Sequence, residues 1–149
     1  MTDLPPYRVL ITSSRNWTDR RPISDQLNQV LADLGPIRPL TVVHGAAPGG
    51  DTIAHQWANS MRRLGYRVEP DPHPANWQLH GKRAGHIRNA EMVAAGADLC
   101  LAFICPCTRR NCAQVADQPH GSHGATGCAK LARKAGIETR ITRWENRYG

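Results

Sequence analysis

Residues 40–58, LTVVHGAAPGGDTIAHQWA, join three kinds of local sequence in one short stretch. Leu40 to Val43 is an aliphatic and β-branched run of the kind that forms a buried strand. His44 to Gly50 is a turn of small residues, and from Asp51 onward apolar residues recur at helical spacing. A strand, a glycine-rich turn and a helix in direct succession are typical of an α/β protein.

The same alternation of strand and helix patterns continues along the rest of the chain. Further strands are predicted at Tyr7–Thr12, Tyr66–Glu69, Leu99–Ile104 and Ile137–Thr142. Helices are predicted at about 19–34, 51–64, 82–95 and 124–135, and residues 71–81 are predicted to form a loop. Because strands alternate with helices, we expect a parallel five-stranded sheet with helices on both faces. The sequence therefore predicts one Rossmann-like domain over residues 1–149.

Length and composition exclude several classes of protein. The chain has 149 residues, of which 40% are hydrophobic and 21% are charged, so it is neither a disordered chain, a collagen-like fibre nor a coiled coil. Its apolar runs, around Val42 and Leu101, are far shorter than the roughly 20 residues that span a bilayer. The beginning, MTDLPPYRVL, lacks the pattern of a signal peptide. We therefore expect a cytoplasmic protein without a membrane partner.

The net charge of +7 comes from an excess of basic residues, most of them arginine. Such a balance suits nucleic acid, nucleotides or another polyanion, and it also fits an arginine-rich genome. The basic residues are scattered among acids, and the aromatic residues do not interleave with them as a base-stacking platform for nucleic acid requires. Nucleic acid is therefore compatible with the sequence as a partner, but it is not favoured.

Three turns of small residues lie where a parallel sheet would place a ligand. They span residues 12–17, 44–51 and 120–126, and two of them run directly into helices. Backbone N–H groups in such turns can face a phosphate at a helix N-terminus, although none of the turns matches the P-loop. The turns predict a phosphate-bearing ligand. The candidate binding residues in them are Ser13, Arg15, Gly45, Gly49, Gly50, Asp51, Gly121, Ser122, Gly124 and Thr126.

Several of these residues also have a purely structural interpretation. Arg15 can pair with a phosphate or can be a solvated loop residue. The simplest role of Asp51 is to cap the helix that follows the second turn. His44 ends a strand and can contact a ligand or donate a proton, or it can be structural. Trp57 fits the core face of a helix, whereas Trp77 falls in a predicted loop, where its ring can stack on a base.

Four segments carry a resemblance to a known family. ITSSRNWTD, VVHGAAPGGDTIAHQWA, PANWQLHGKRAGHIRNAEMVAAGADLCLAF and SHGATGCAKLARKAGI resemble the DUF2493 proteins, the YspA/YpsA-related branch of the SLOG superfamily. This branch occurs in bacteria and phages and is akin to the DprA and LOG proteins. The resemblance covers about residues 8–143. It implies a Rossmann-like domain that binds a nucleotide or a nucleotide-derived, ADP-ribose-like molecule, and it is compatible with a homodimer.

The resemblance to the LOG enzymes adds residues on the third predicted helix. Their helix arginine is matched by Arg88 and Asn89, which are therefore further candidates for ligand binding. Lys82, at the start of the same helix, either reaches the same phosphate or lies on the helix surface. The structural alternative for Arg88 is an ion pair with Glu91 or Asp98.

The catalytic glutamate of the LOG enzymes is not matched here. Their PGGxGT loop is replaced by residues 121–126, and no carboxylate follows in the next turn of helix. Because cleavage of a glycosidic bond depends on carboxylates, a binding role as a sensor or sequestering module is favoured over a nucleoside 5′-monophosphate N-glycosidase. Whether the chain is an enzyme stays open, and an accessory role in DNA processing, related to DprA, is a further alternative.

A cysteine- and histidine-rich insertion, at about residues 105–123, shows no apolar period. Clustered thiols in a cytoplasmic protein favour a metal over a disulfide, and thiolate with imidazole suits tetrahedral zinc. Reduced thiols and a Cys107–Cys112 disulfide are the alternatives. Cys100 and Cys128 are expected to be small buried hydrophobic residues. The predicted ligands of a structural zinc ion are Cys105, Cys107, Cys112 and His120, with His123 as a further candidate.

Overall fold

The computed structural model describes residues 4–106 and 123–144. Strands and helices alternate along these residues, and a 3-10 turn at Gly81–Arg83 leads from the third helix into the fourth. The elements are β1 (Tyr7–Ser13), α1 (Arg20–Leu34), β2 (Leu40–His44), α2 (Gly50–Arg63), β3 (Val68–Pro72), α3 (Trp77–His80), α4 (Ala84–Ala94), β4 (Leu99–Ile104), α5 (His123–Lys134) and β5 (Glu138–Arg143).

The five strands form one parallel sheet in the order β3-β2-β1-β4-β5. The chain first moves outward from β1 through β2 to β3, then crosses back to β4 and continues to β5. The strand order therefore reverses between β1 and β4, and open α/β sheets bind ligands outside the carboxyl ends of their strands at such a point. The predicted five-stranded parallel α/β architecture is confirmed.

Both faces of the sheet are covered, as the continuous apolar strands predicted. Successive residues of β1 point to opposite faces, so Val9 and Ile11 pack in one cluster with α1 and α2, where Leu27 and Trp57 are buried. Leu10 packs in a second cluster with residues of α4 and α5. The helices that begin at the carboxyl edge of the sheet therefore come from both layers. No helix among the described residues is long and apolar enough to cross a membrane.

The third strand is the element that the sequence placed least well. It was predicted at Tyr66–Glu69 but spans Val68–Pro72, because it pairs in register with β2, from Leu40 opposite Val68 to His44 opposite Pro72. The His73 N–H donates to the His44 carbonyl oxygen at 2.7 Å. The backbone nitrogens of every second residue therefore point toward β2, and those of the two prolines in the strand point away from it. An edge strand tolerates prolines at such positions.

The predicted loop at residues 71–81 also contains a helical turn, α3. Asn76 caps it, since its side-chain oxygen accepts a hydrogen bond from the Leu79 N–H at 3.0 Å. The helix that follows begins at Ala84, two residues later than predicted, because Gly81–Arg83 forms the 3-10 turn. This short connection brings Trp77 to the carboxyl edge of the sheet.

Candidate functional site

The frame of the site is a close contact between the end of β1 and the start of α2. The Ser13 hydroxyl accepts a hydrogen bond from the Gly50 N–H at 3.1 Å and donates to the Ser14 carbonyl oxygen at 3.0 Å. A Cβ on Gly49 would lie 2.6 Å from the Ser14 oxygen and 2.7 Å from the Arg15 oxygen, and its φ of 88° also favours glycine. Ser13, Gly49 and Gly50 are therefore brought together, although the Ser13 hydroxyl is already used within the protein.

Asp51 organises the turn that follows β2. Its side chain is only 4% exposed, and its Oδ2 accepts hydrogen bonds from the N–H groups of Gly45 and Ala47 at 3.0 and 3.3 Å. The N-cap of α2 is Gly49, so the capping role predicted for Asp51 is wrong. Oδ1 is buried and has no hydrogen-bond partner within the part of the chain that the structure describes. Burial raises the pKa of Asp51 to about 6, against the lowering effect of the two N–H groups and of Arg88.

Arg88 reaches this turn from α4, which packs on the face of the sheet opposite to α2. Its Nη1 donates to the carbonyl oxygen of Gly45 and, at 3.4 Å, to that of His73. Its Nε donates to Oδ1 of the buried Asn89 at 2.7 Å, so Asn89 orients the guanidinium. Burial lowers the pKa of Arg88, while the negative charge of Asp51 raises it.

The structural alternative for Arg88 was an ion pair with one of two nearby acids. Within residues 4–106 and 123–144, neither Glu91 nor Asp98 pairs with it. Asp98 instead accepts a hydrogen bond from the Arg8 N–H at 2.9 Å and lies 3.8 Å from the Arg38 guanidinium. The side chain of Arg88 is therefore directed at backbone carbonyl oxygens of the candidate site.

Arg15 and Trp77 complete this edge of the sheet. The exposed Arg15 places its guanidinium carbon 5.3 Å from the centre of the Trp77 ring. A Cβ on Gly85 would lie 3.7 Å from the Trp77 ring and 3.9 Å from Nη2 of Arg88, so the indole rests against α4 beside that arginine. The positive charge of Arg15 lowers the pKa of both Asp51 and Arg88.

The glycine-rich turn uses many of its N–H groups internally. Those of Gly45 and Ala47 donate to Asp51, and that of Ala46 donates to Nδ1 of His44 at 3.0 Å. The donors left without an acceptor among the described residues are the N–H groups of Gly49, Asp51 and Thr52, at the start of α2. The part of the turn that can receive an anion is thus the helix N-terminus rather than the whole glycine-rich segment.

His44 is structural in this arrangement. Its Nδ1 accepts the Ala46 N–H, so its Nε2 carries the proton and donates to Nδ1 of His55 at 2.9 Å. Burial lowers the pKa of His44 to about 4, and the ring is neutral near pH 7. No local pattern indicates this pairing, because the two histidines lie on different elements and are eleven positions apart.

The remaining predicted residues are less closely connected with this cluster. Lys82 is exposed on the 3-10 turn, and Gly124 is exposed at the start of α5 with open space around it. Thr126, in the first turn of α5, has a buried hydroxyl oxygen without a partner among the described residues. Gly121 and Ser122 lie outside the described residues.

The cysteines divide into buried and undescribed ones. Cys100 and Cys128 are fully buried in the core, as predicted, and Cys105 is 3% exposed, with its N–H donating to the Ser14 hydroxyl at 2.8 Å. The other predicted zinc ligands, Cys107, Cys112 and His120, lie outside the described residues. Among residues 4–106 and 123–144, no group of three or more side chains is arranged to hold a metal ion. The zinc site stays a prediction.

Comparison with known proteins agrees with the resemblance seen in the sequence. The model of the YspA, cpYpsA-related SLOG family matches residues 7–80, which include β1, the glycine-rich turn, α2 and α3. The Gene 61 protein of Mycobacterium phage D29 is 48% identical over 130 residues, which are 87% of this chain and 91% of that protein. No solved structure matches the chain. The chain belongs to the YspA, cpYpsA-related SLOG family.

Proposed function

We propose that the protein binds a phosphate-bearing, nucleotide-derived ligand at the carboxyl edge of its sheet, as a sensor or sequestering module. One observation carries the proposal: the guanidinium groups of Arg15 and Arg88 both lie beside the Trp77 ring, next to the turn that leads into α2, whose first N–H groups have no acceptor among the described residues. Membership of the SLOG family supports a nucleotide-related role. The reversal of strand order between β1 and β4 supports the same location.

The balance of charge at this edge favours an anion. Arg15 forms no ion pair among the described residues, and Arg88 donates to carbonyl oxygens rather than to a carboxylate. Asp51 is the neighbouring acid; with a pKa of about 6 it is mostly ionised at pH 7, but its Oδ2 is bound to the backbone N–H groups of Gly45 and Ala47 and, within the described part of the chain, forms no ion pair with either arginine. A phosphate would pair with the guanidinium groups and relieve the repulsion between them.

The position of Asp51 also favours binding over hydrolysis. A glycosidase needs a carboxyl group that touches the scissile bond or the attacking water. One oxygen of Asp51 is held by two N–H groups, and the other is buried away from solvent. Asp51 is therefore poorly placed to replace the glutamate of the LOG enzymes, and N-glycosidase activity is the less favoured function.

Calorimetric titration with AMP, ADP and ADP-ribose tests the proposal. Arg15→Ala removes one guanidinium from an exposed position, so the melting temperature should change little. The affinity for the nucleotides should fall by about 10- to 150-fold, the equivalent of one charge-assisted hydrogen bond. Arg20→Ala, which removes an exposed arginine from the start of α1, is the matched control and should bind as the natural protein does.

Two results would contradict the proposal. One is the absence of binding for all three nucleotides at millimolar concentration. The other is equal affinity of Arg15→Ala and Arg20→Ala, which would move the ligand away from Arg15. Chromatography of the AMP sample after incubation tests the enzymatic alternative, because release of free adenine would show that the N-glycosidic bond is cleaved.

A further inference from the structure

We propose that Trp77 recognises the base of the ligand, so that the site selects nucleotides over sugar phosphates without a base. This inference rests on the proposed function, since it assumes that the phosphate binds at Arg15 and Arg88. It adds an aromatic subsite formed by Trp77, Gly85 and the side chain of Arg15.

Trp77 differs from the other described tryptophans in its surroundings. Trp17 and Trp57 are 2% and 7% exposed, and each indole N–H donates to a protein oxygen. Trp144 packs edge-on against Trp17, with their ring centres 5.2 Å apart. Trp77 is 47% exposed, and no aromatic ring among the described residues packs on it. An exposed aromatic surface of this size is not needed for the core.

The position of Trp77 is fixed by its neighbours. The Asn76 side chain caps the turn in which Trp77 lies. The indole lies close to α4 at Gly85, where a Cβ would be 3.7 Å from the ring, an ordinary van der Waals distance. The indole of Trp77 is therefore positioned next to Arg88 before a ligand binds. Because less side-chain freedom is lost on binding, the entropic cost of stacking a ligand on the ring is lower.

The chemistry around the ring matches a ligand with a base and a phosphate. Both Arg15, over the ring, and Arg88, beside it, are cations that a phosphate can bind. A purine or pyrimidine base has a planar face that stacks on an indole, and loss of one such contact lowers affinity by roughly 5- to 150-fold. A sugar phosphate without a base offers nothing to the ring. The aromatic surface therefore discriminates between the two classes of ligand.

A different role for Trp77 would be to hold Arg15 in place for the phosphate. That role predicts that removal of the indole weakens all phosphate ligands equally. Base stacking predicts that it weakens only ligands that carry a base. AMP and ribose 5-phosphate differ in the base alone, so the ratio of their affinities separates the two roles.

The experiment measures both affinities by calorimetry for the natural protein, Trp77→Ala, Trp77→Phe and Leu79→Ala. Leu79 is 71% exposed on the same short helix and serves as the matched control. The natural protein and Leu79→Ala should prefer AMP over ribose 5-phosphate by roughly 5- to 150-fold. Trp77→Ala should bring this ratio close to one with little change for ribose 5-phosphate, and Trp77→Phe should keep most of it.

Each other outcome has a definite meaning. An unchanged ratio in Trp77→Ala, or no preference for AMP in the natural protein, would overturn the role of Trp77 and leave phosphate binding intact. Failure of the natural protein to bind either compound would overturn the proposed function itself, and the role of Trp77 with it. Urea unfolding of Trp77→Ala and Leu79→Ala checks the fold of both variants, and both should be fully folded under the conditions of the titration because neither residue belongs to the core.

Discussion

Replacement of Asp51 by asparagine should change the dependence of stability on pH. Burial raises the pKa of Asp51 in the folded protein from 3.8 to about 6, a difference of about 2 units. Because the folded state holds this proton more tightly than the unfolded state, the contribution of Asp51 to stability is complete below about pH 4. It is lost as the pH rises through 6. At 1.36 kcal/mol per unit, the loss is about 3 kcal/mol.

The Asp51→Asn variant lacks this titration and keeps a similar shape. Its amide oxygen can accept the N–H groups of Gly45 and Ala47 in place of Oδ2. Its amide NH₂ then occupies the place of Oδ1, for which residues 4–106 and 123–144 provide no hydrogen-bond partner, and any cost of leaving that group unpaired is the same at every pH. The informative quantity is therefore the difference in unfolding free energy between variant and natural protein as the pH changes.

Urea unfolding between pH 4 and pH 8 measures this difference. We expect the free energy of unfolding of Asp51→Asn, relative to the natural protein, to rise by about 3 kcal/mol between these two pH values. Asp25→Asn, which replaces an exposed acid of α1, is the matched control for the loss of one carboxyl group. A relative free energy that is constant with pH, or that falls as the pH rises, would refute the argument that burial dominates the pKa of Asp51.

Three further predictions concern other parts of the molecule. Arg88→Ala should weaken AMP binding, measured by calorimetry, by about 10- to 150-fold. It should also lower the free energy of unfolding in urea by roughly 1–3 kcal/mol, because the Gly45 carbonyl oxygen loses its donor. An unchanged AMP affinity would remove Arg88 from the site. Gly45→Ala should lower the melting temperature, because the added Cβ would displace the Arg88 guanidinium and break its hydrogen bond to the Gly45 carbonyl oxygen, whereas Gly124→Ala, in open space, should not. Equal melting temperatures would contradict the packing. If the predicted zinc site exists, the purified protein should carry about one equivalent of metal, and elemental analysis that finds none would contradict it.

The sequence predicted the fold well where apolar runs are continuous. β1 and β4 are buried on both faces, so their patterns are strong, and their positions agree with the prediction to within a residue. β3 is an edge strand that contains two prolines, and its bounds are set by pairing with β2 rather than by its own residues. α3 has four residues and no apolar period, so only its Asn76 cap could have indicated it.

The location of the candidate site could be predicted from the sequence, but the hydrogen bonds within it could not. Parallel strands bring their carboxyl ends to one edge, which is why Ser13, Arg15 and Gly50 could be expected to meet there. The role of Asp51 was misjudged because an acid at the start of a helix usually caps it, whereas here the preceding turn folds back onto the carboxylate. The pairing of Arg88 with the Gly45 carbonyl oxygen depends on tertiary packing across the sheet, which no local pattern encodes.

The most direct test of ligand binding at the carboxyl edge is a nuclear magnetic resonance titration of the ¹⁵N-labelled protein with AMP. Saturable shifts are expected in the backbone amides of residues 13–16 and 45–52 and in the indole N–H of Trp77. Little change is expected at the opposite edge, where Leu31, Met61 and Tyr66 line a groove between the ends of α1 and α2. The absence of saturable shifts, or shifts confined to that groove, would contradict the account.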